Sequence, residues 1–151
     1  MLLTNQQILA LSEAILHLDG HHITQVIEGK AVALFRSYHL AHAARWLLAQ
    51  AQGKLQAAIA DFHRAKDALI NHHSGGAGAL SPAHPNFQPF SEDFEKLKRQ
   101  PVELDLETIT LAHLKLGENE KAGSEVPIAV LQALSPLIKD AGQSSMPTGA
   151  N

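Results

Sequence analysis

The chain has 151 residues, 45% of them hydrophobic and 18% charged, with a formal net charge of -3. That length fits one domain with a real core, and the mild acidity argues against a nucleic-acid binder held by phosphate contacts. The absence of cysteine excludes disulfides, thiolate catalysis and Cys-ligated metal sites, and no signal peptide or run of ~20 apolar residues is visible.

Met1 to Gly20 reads as a first helix. Thr4 can cap it, and Gln7 sits where a capping box places Glu or Gln. Ile8, Leu11, Ile15 and Leu18 follow at helical spacing, and Asp19-Gly20 supplies the stop. From Ile23 to Phe35 the period changes. Two short strands are expected there, joined by a tight turn at Gly29.

The longest periodic stretch is Ser37 to Asn71. Leu40, Ala44, Leu47, Ala51, Leu55, Ala58, Phe62, Ala65 and Leu69 form one apolar stripe. No proline interrupts it, and at 1.5 Å per residue the helix is roughly 50 Å long. Alanine alternates with larger residues along the stripe, which permits close helix packing. Gly53 marks a bend or a close contact within it. Either the shorter helices tile this rod, or a second protein covers part of it; a homodimer through the long helix is the simplest form of the latter.

Residues 71–90, rich in glycine and proline, are expected to be a flexible loop. Ser91 then caps a short helix to about Gln100, with Phe94 and Leu97 inward. Val102 to Glu107 alternates strictly between apolar and acidic residues. It predicts a strand with Glu103, Asp105 and Glu107 on one face, able to join the 23–35 hairpin in a three-stranded sheet. Thr108 to Leu116 is expected to hold a turn or two of helix. Pro127 opens a C-terminal helix carrying Ile128, Leu131, Leu134, Leu137 and Ile138, interrupted near Ser135-Pro136. Residues 1–140 are thus expected to form a single helical domain, and residues 141–151 a disordered tail.

Chemistry-bearing signals are sparse. Ten histidines are present, but no metal-binding signature is. His72, His73 and His84 share the 71–90 loop, and a zinc site there is the alternative to ordinary surface histidines. The acidic face of Glu103, Asp105 and Glu107 reads first as a solvated strand face and second as an acidic binding surface. The glycine run Ser74 to Gly78 lacks the Lys-Ser/Thr of a P-loop. Trp46 lies just off the apolar stripe, as a core-edge residue or as an interface anchor.

Four segments taken together carry a resemblance. They are Leu3-Thr4-Asn5-Gln6-Gln7-Ile8, Ala65-Lys66-Asp67-Ala68-Leu69-Ile70, the strand Val102 to Ile109, and Pro127 with Leu131, Leu134 and Leu137. Their order resembles small bacteriophage and prophage proteins of unknown function, over most of residues 1–140. The resemblance implies a phage or prophage origin and a helical protein with a minor sheet. It assigns no catalytic residue, and the histidine- and glycine-rich stretch at 71–85 departs from it.

The sequence therefore predicts a mainly α-helical domain with a small sheet and no cofactor or resident metal. It predicts a non-catalytic accessory protein of the bacterial cytoplasm or the virion that binds a protein partner or itself, with no nucleic acid and no membrane. Trp46, Ala51, Ala58, Glu103, Asp105 and Glu107 are the expected interface residues. An inhibitor of a host enzyme or defence system, and a metal-dependent hydrolase using His72, His73 and His84, are the alternatives.

Overall fold

The computed structural model describes residues 1–19, 21–36, 40, 42–110 and 127–139. The protein is mainly α-helical, with a long helix packed by shorter ones and two small antiparallel sheets. In chain order the elements are β1 (Leu2–Thr4), α1 (Asn5–Asp19), β2 (His21–Ile27), β3 (Lys30–Arg36), α2 (His42–His73), α3 (Phe87–Arg99), β4 (Pro101–Glu103) and α4 (Ile128–Leu134), which runs into a 3-10 turn at Ser135–Leu137. These residues form two compact units. One holds 1–9 and 53–105; the other holds 10–52 and the described residues after 105.

In the first unit, β1 pairs antiparallel with β4, Leu3 opposite Val102. Two backbone bonds extend this short ladder, Leu104 N–H to the Met1 carbonyl at 2.9 Å and Asn5 N–H to the Gln100 carbonyl at 3.1 Å. The buried Asn5 amide donates to the Leu97 carbonyl at 2.8 Å, a second bond beside that from Gln100 N–H at 3.2 Å, and ties the start of α1 to the end of α3. The start of α1 is a reciprocal capping box. Gln7 N–H donates to Thr4 Oγ1 at 3.2 Å, and Thr4 N–H donates to Gln7 Oε1 at 2.9 Å. Thr4 is therefore both the last strand residue and the helix cap. The residues before it are strand rather than helix, because Leu3 is buried in the β1–β4 pair.

α2 ends at His73 in a Schellman motif. Gly76 N–H reaches back to the Asn71 carbonyl at 2.9 Å, and Gly75 takes the left-handed turn at φ 67°. α3 starts at Phe87, earlier than the Ser91 cap predicts. Pro89 lies in its first turn, where a missing N–H costs nothing. Residues 71–73 and 87–90 thus belong to helices, leaving 74–86 as the connection. Phe62, Phe87, Phe90 and Phe94 gather between α2 and α3. Phe90 stacks on Phe94 at 5.7 Å between centroids, and Phe62 lies 6.0 Å from Phe94. Lys66 and Lys98 sit over the Phe94 ring at 5.6 and 5.2 Å.

In the second unit, β2 and β3 form a hairpin in register from Ile27↔Lys30 to His21↔Arg36. Glu28 and Gly29 both have positive φ, 52° and 76°, as a two-residue primed turn requires. Ser12 and Gln52 are bonded at 2.9 Å, and Asp19 and Arg45 at 3.3 Å. These contacts run in opposite chain directions and set the two helix segments antiparallel. After residue 105, Ile109 forms an isolated parallel bridge with Ile138; Ile109 N–H donates to Leu137 at 2.8 Å, and Lys139 N–H to Ile109 at 2.7 Å. Leu134, Leu137 and Ile138 are buried.

Several expectations need correction. The long helix begins at His42, and Leu40 lies before it. Its buried positions are Ala44, Leu48, Ala51, Leu55, Ala58 and Phe62, with Leu47, Ala65 and Leu69 only half-buried. No three-stranded sheet forms from β2, β3 and β4, because β4 pairs with β1 instead. The predicted strand over 102–107 keeps its alternation of exposure, but β4 ends at Glu103 and the ladder's bonds to β1 stop at Leu104. The Ser37 cap, the Gly20 stop, most of the 108–116 turn and the 141–151 tail lie outside the described residues.

Candidate functional site

Trp46 sits in the first turns of α2 and is 66% exposed. The core-edge reading of this residue is therefore wrong: the buried stripe passes through Ala44 and Leu48, and Trp46 points away from it. Arg45 beside it is held by the Asp19 carboxylate at 3.3 Å. The same unit exposes four more large apolar side chains among the described residues, Leu16 at 54%, Val26 at 72%, Ile27 at 45% and Ile128 at 75%. Periodicity marks Leu16 as off the α1 stripe and Ile128 as on the α4 stripe, so only the structure reveals the second as bare.

Ala51 and Ala58 are 4% and 7% exposed. The folded chain covers them itself, so neither side chain offers a surface to a partner. Glu103 and Asp105 are exposed, as the alternation predicts, and so is Glu107. Asp105 is not a bare charge. Lys54 from α2 donates to its backbone carbonyl and lies 3.9 Å from its carboxylate. The local field of this acidic segment is thereby reduced, a contact that sequence spacing does not reveal.

The histidines sort differently from expectation. His73 Nε2 lies 2.9 Å from the Asp93 carboxylate, its side chain only 11% exposed, and its ring meets Phe90 edge-on at 6.1 Å. Asn86 Nδ2 donates to the His73 carbonyl at 2.9 Å, and Asn86 N–H donates to His84 Nδ1 at 3.0 Å. His73 thus pins the end of α2 to α3, while His84 orders the turn before α3. Among the described residues, no group of three or more His, Asp or Glu side chains could hold a metal. The reading of His72, His73 and His84 as a zinc site is accordingly set aside. One of the residues that positions His73, Asp93, had only a generic acidic signal in the sequence.

Glu95 carries a clear electrostatic signature. A hydrogen bond from Lys98, at 2.6 Å, holds its carboxyl below the usual carboxylate range, aided by the Lys98 and Arg99 charges. It is solvent-exposed on α3 and forms an ordinary surface i,i+3 pair with Lys98.

Compared with known proteins, the chain matches no family model, and neither a curated protein nor a solved structure is significantly similar to it. Among the described residues no helix is long and apolar enough to cross a membrane.

Proposed function

We propose that this protein works by protein–protein association and carries out no catalysis of its own. The observation that supports this reading is Trp46. An indole left 66% exposed on a rigid helix is the side chain most enriched at the energetic centres of interfaces. Leu16 and Ile128 add apolar area within the same unit, and the Arg45–Asp19 pair supplies a polar neighbour of the kind found at interface rims. The acidic-surface reading, an inhibitor that presents carboxylates, gains less support, because Lys54 offsets Asp105. A phage or prophage origin, with action in the bacterial cytoplasm or on the virion, rests on the four sequence segments alone.

The test compares wild-type protein with Trp46→Ala as immobilised baits in a host extract, after circular dichroism has shown both folded. Trp46 is the single tryptophan, so its emission also reports association directly. A partner retained by wild type and lost by Trp46→Ala, with a blue shift of the emission on binding, is the expected result. Identical captured sets and an unshifted emission maximum would refute Trp46 as the anchor.

A further inference from the structure

The outer edge of β2 carries a different surface. Among the described strands β2 pairs with β3 alone. In an antiparallel pair, residues alternate between those that bond across the ladder and those whose N–H and C=O point away. The two-residue turn fixes the phase. Ile27 and Lys30 close it as a bonded pair, and Gln25↔Val32 and Ile23↔Leu34 follow as bonded pairs. The outward backbone groups of β2 therefore belong to His22, Thr24 and Val26. Thr24 and Val26 are solvent-exposed residues, Val26 at 72%.

We propose that β2 pairs antiparallel with β2 of a second copy of this chain, across a two-fold axis at Thr24, joining two hairpins into a four-stranded sheet. This register sets Thr24 opposite Thr24 and His22 opposite Val26, so every outward group of the edge finds a partner. The occupant is a second copy because the edge complements itself. β2 contains no Asp, Glu, Lys, Arg or Pro, the residues that ordinarily block strand edges. Its self-pairing opposes no like charges and places threonine against threonine, a favourable cross-strand pair. The edge of β3 lacks this property. Its own two-fold pairing about Ala33 would set Lys30 opposite Arg36, cation against cation. Pairing β2 of one copy with β3 of the next would not close and would build filaments. An isolated two-stranded hairpin is also marginal in water, and two more strands remedy that. The proposal concerns a surface distinct from Trp46 and names a partner that the association reading leaves open.

The experiment is absolute mass by light scattering across a wide concentration range, for wild type, Thr24→Pro, Thr24→Lys and Trp46→Ala. Thr24→Pro removes an outward N–H that the β2–β3 ladder does not use. Thr24→Lys leaves the backbone intact and opposes two ammonium groups across the axis; it keeps the test valid where the proline variant fails to fold. Wild type and Trp46→Ala are expected at twice the chain mass, and the two Thr24 variants at one chain mass with an unchanged far-ultraviolet spectrum. Wild type at a single chain mass at every concentration overturns the proposal, as do folded Thr24 variants that remain dimeric or an open-ended rise in mass. A dimer abolished by Trp46→Ala alone overturns the β2 edge while favouring the Trp46 reading, which separates the two failures.

Discussion

Gly53→Ala should make the protein more stable. Gly53 lies within α2, exposed, without a positive φ, and a Cβ built on it meets nothing within 4 Å. Among the described residues the close contact that a mid-helix glycine suggests is absent: there is room for a side chain and no positive φ to preserve. What remains is the intrinsic cost of glycine in a helix, about 1 kcal/mol relative to alanine, mostly the entropy lost on ordering it. For a chain of this length, 1 kcal/mol corresponds to a melting temperature rise of about 2–4 °C. Thermal unfolding followed at 222 nm reads this directly. A useful contrast is Gly75→Ala, which also has open space around it but sits at φ 67°. Strain there should lower stability by about 1 kcal/mol. A fall in melting temperature for Gly53→Ala would refute the reasoning, and would mean that something outside the folded chain occupies the space at Gly53.

Three other outcomes are expected. Thr4→Ala removes the hydroxyl half of the capping box, the bond from Gln7 N–H to Thr4 Oγ1, and should destabilise by about 1 kcal/mol, read from urea denaturation, with Thr4→Ser restoring most of it. Leu55→Ala, at a site with no exposure, should cost about 2–5 kcal/mol by the loss of buried methyl groups and the cavity left behind. Lys98→Met should raise the titration of Glu95 toward its ordinary range, visible in the carboxyl carbon shift by NMR. Because Lys98 depresses the folded-state value, the stabilisation of this pair is present above the unfolded carboxylate range and lost as pH falls through the folded value, and the variant should be flatter across that acid limb.

Local signals read well from the sequence wherever one residue's chemistry decides the outcome. Thr4 and Gln7 name the start of α1, and their two bonds form as the spacing requires. Ile8, Leu11, Ile15 and Leu18 are all buried. Glu28-Gly29 marks the hairpin turn, although glutamate is an uncommon residue at positive φ. The errors arise where two placements satisfy the same period. From Ala44, steps of three and four reach Leu47 and Leu48; both fit a helix, and packing selects Leu48. Pro89 reads as loop, because proline breaks helix interiors, yet it is tolerated in a first turn. The alternation at 102–107 correctly reports which side chains face solvent. It says nothing of which strand supplies the hydrogen bonds, and β1, too short to be seen in the sequence, supplies them.

The alanine stripe bears most directly on function. From the sequence, a rod with a continuous small-residue face leaves two options, self-coverage or a second protein. α2 has 32 residues, about 48 Å of helix, and α1 has 15. Yet Ala44, Leu48, Ala51, Leu55, Ala58 and Phe62 are all buried within one chain. The chain therefore covers its own stripe over that span, and an interface built on Ala51 and Ala58 would require unpacking the core that holds the helix. Any association surface must lie off the stripe. Among the described residues the exposed large apolar side chains are Leu2, Leu16, Val26, Ile27, Trp46 and Ile128, none of them a stripe position of α2. This moves the search for a partner from the most regular feature of the sequence to its least regular ones, a lone tryptophan and a strand without charge.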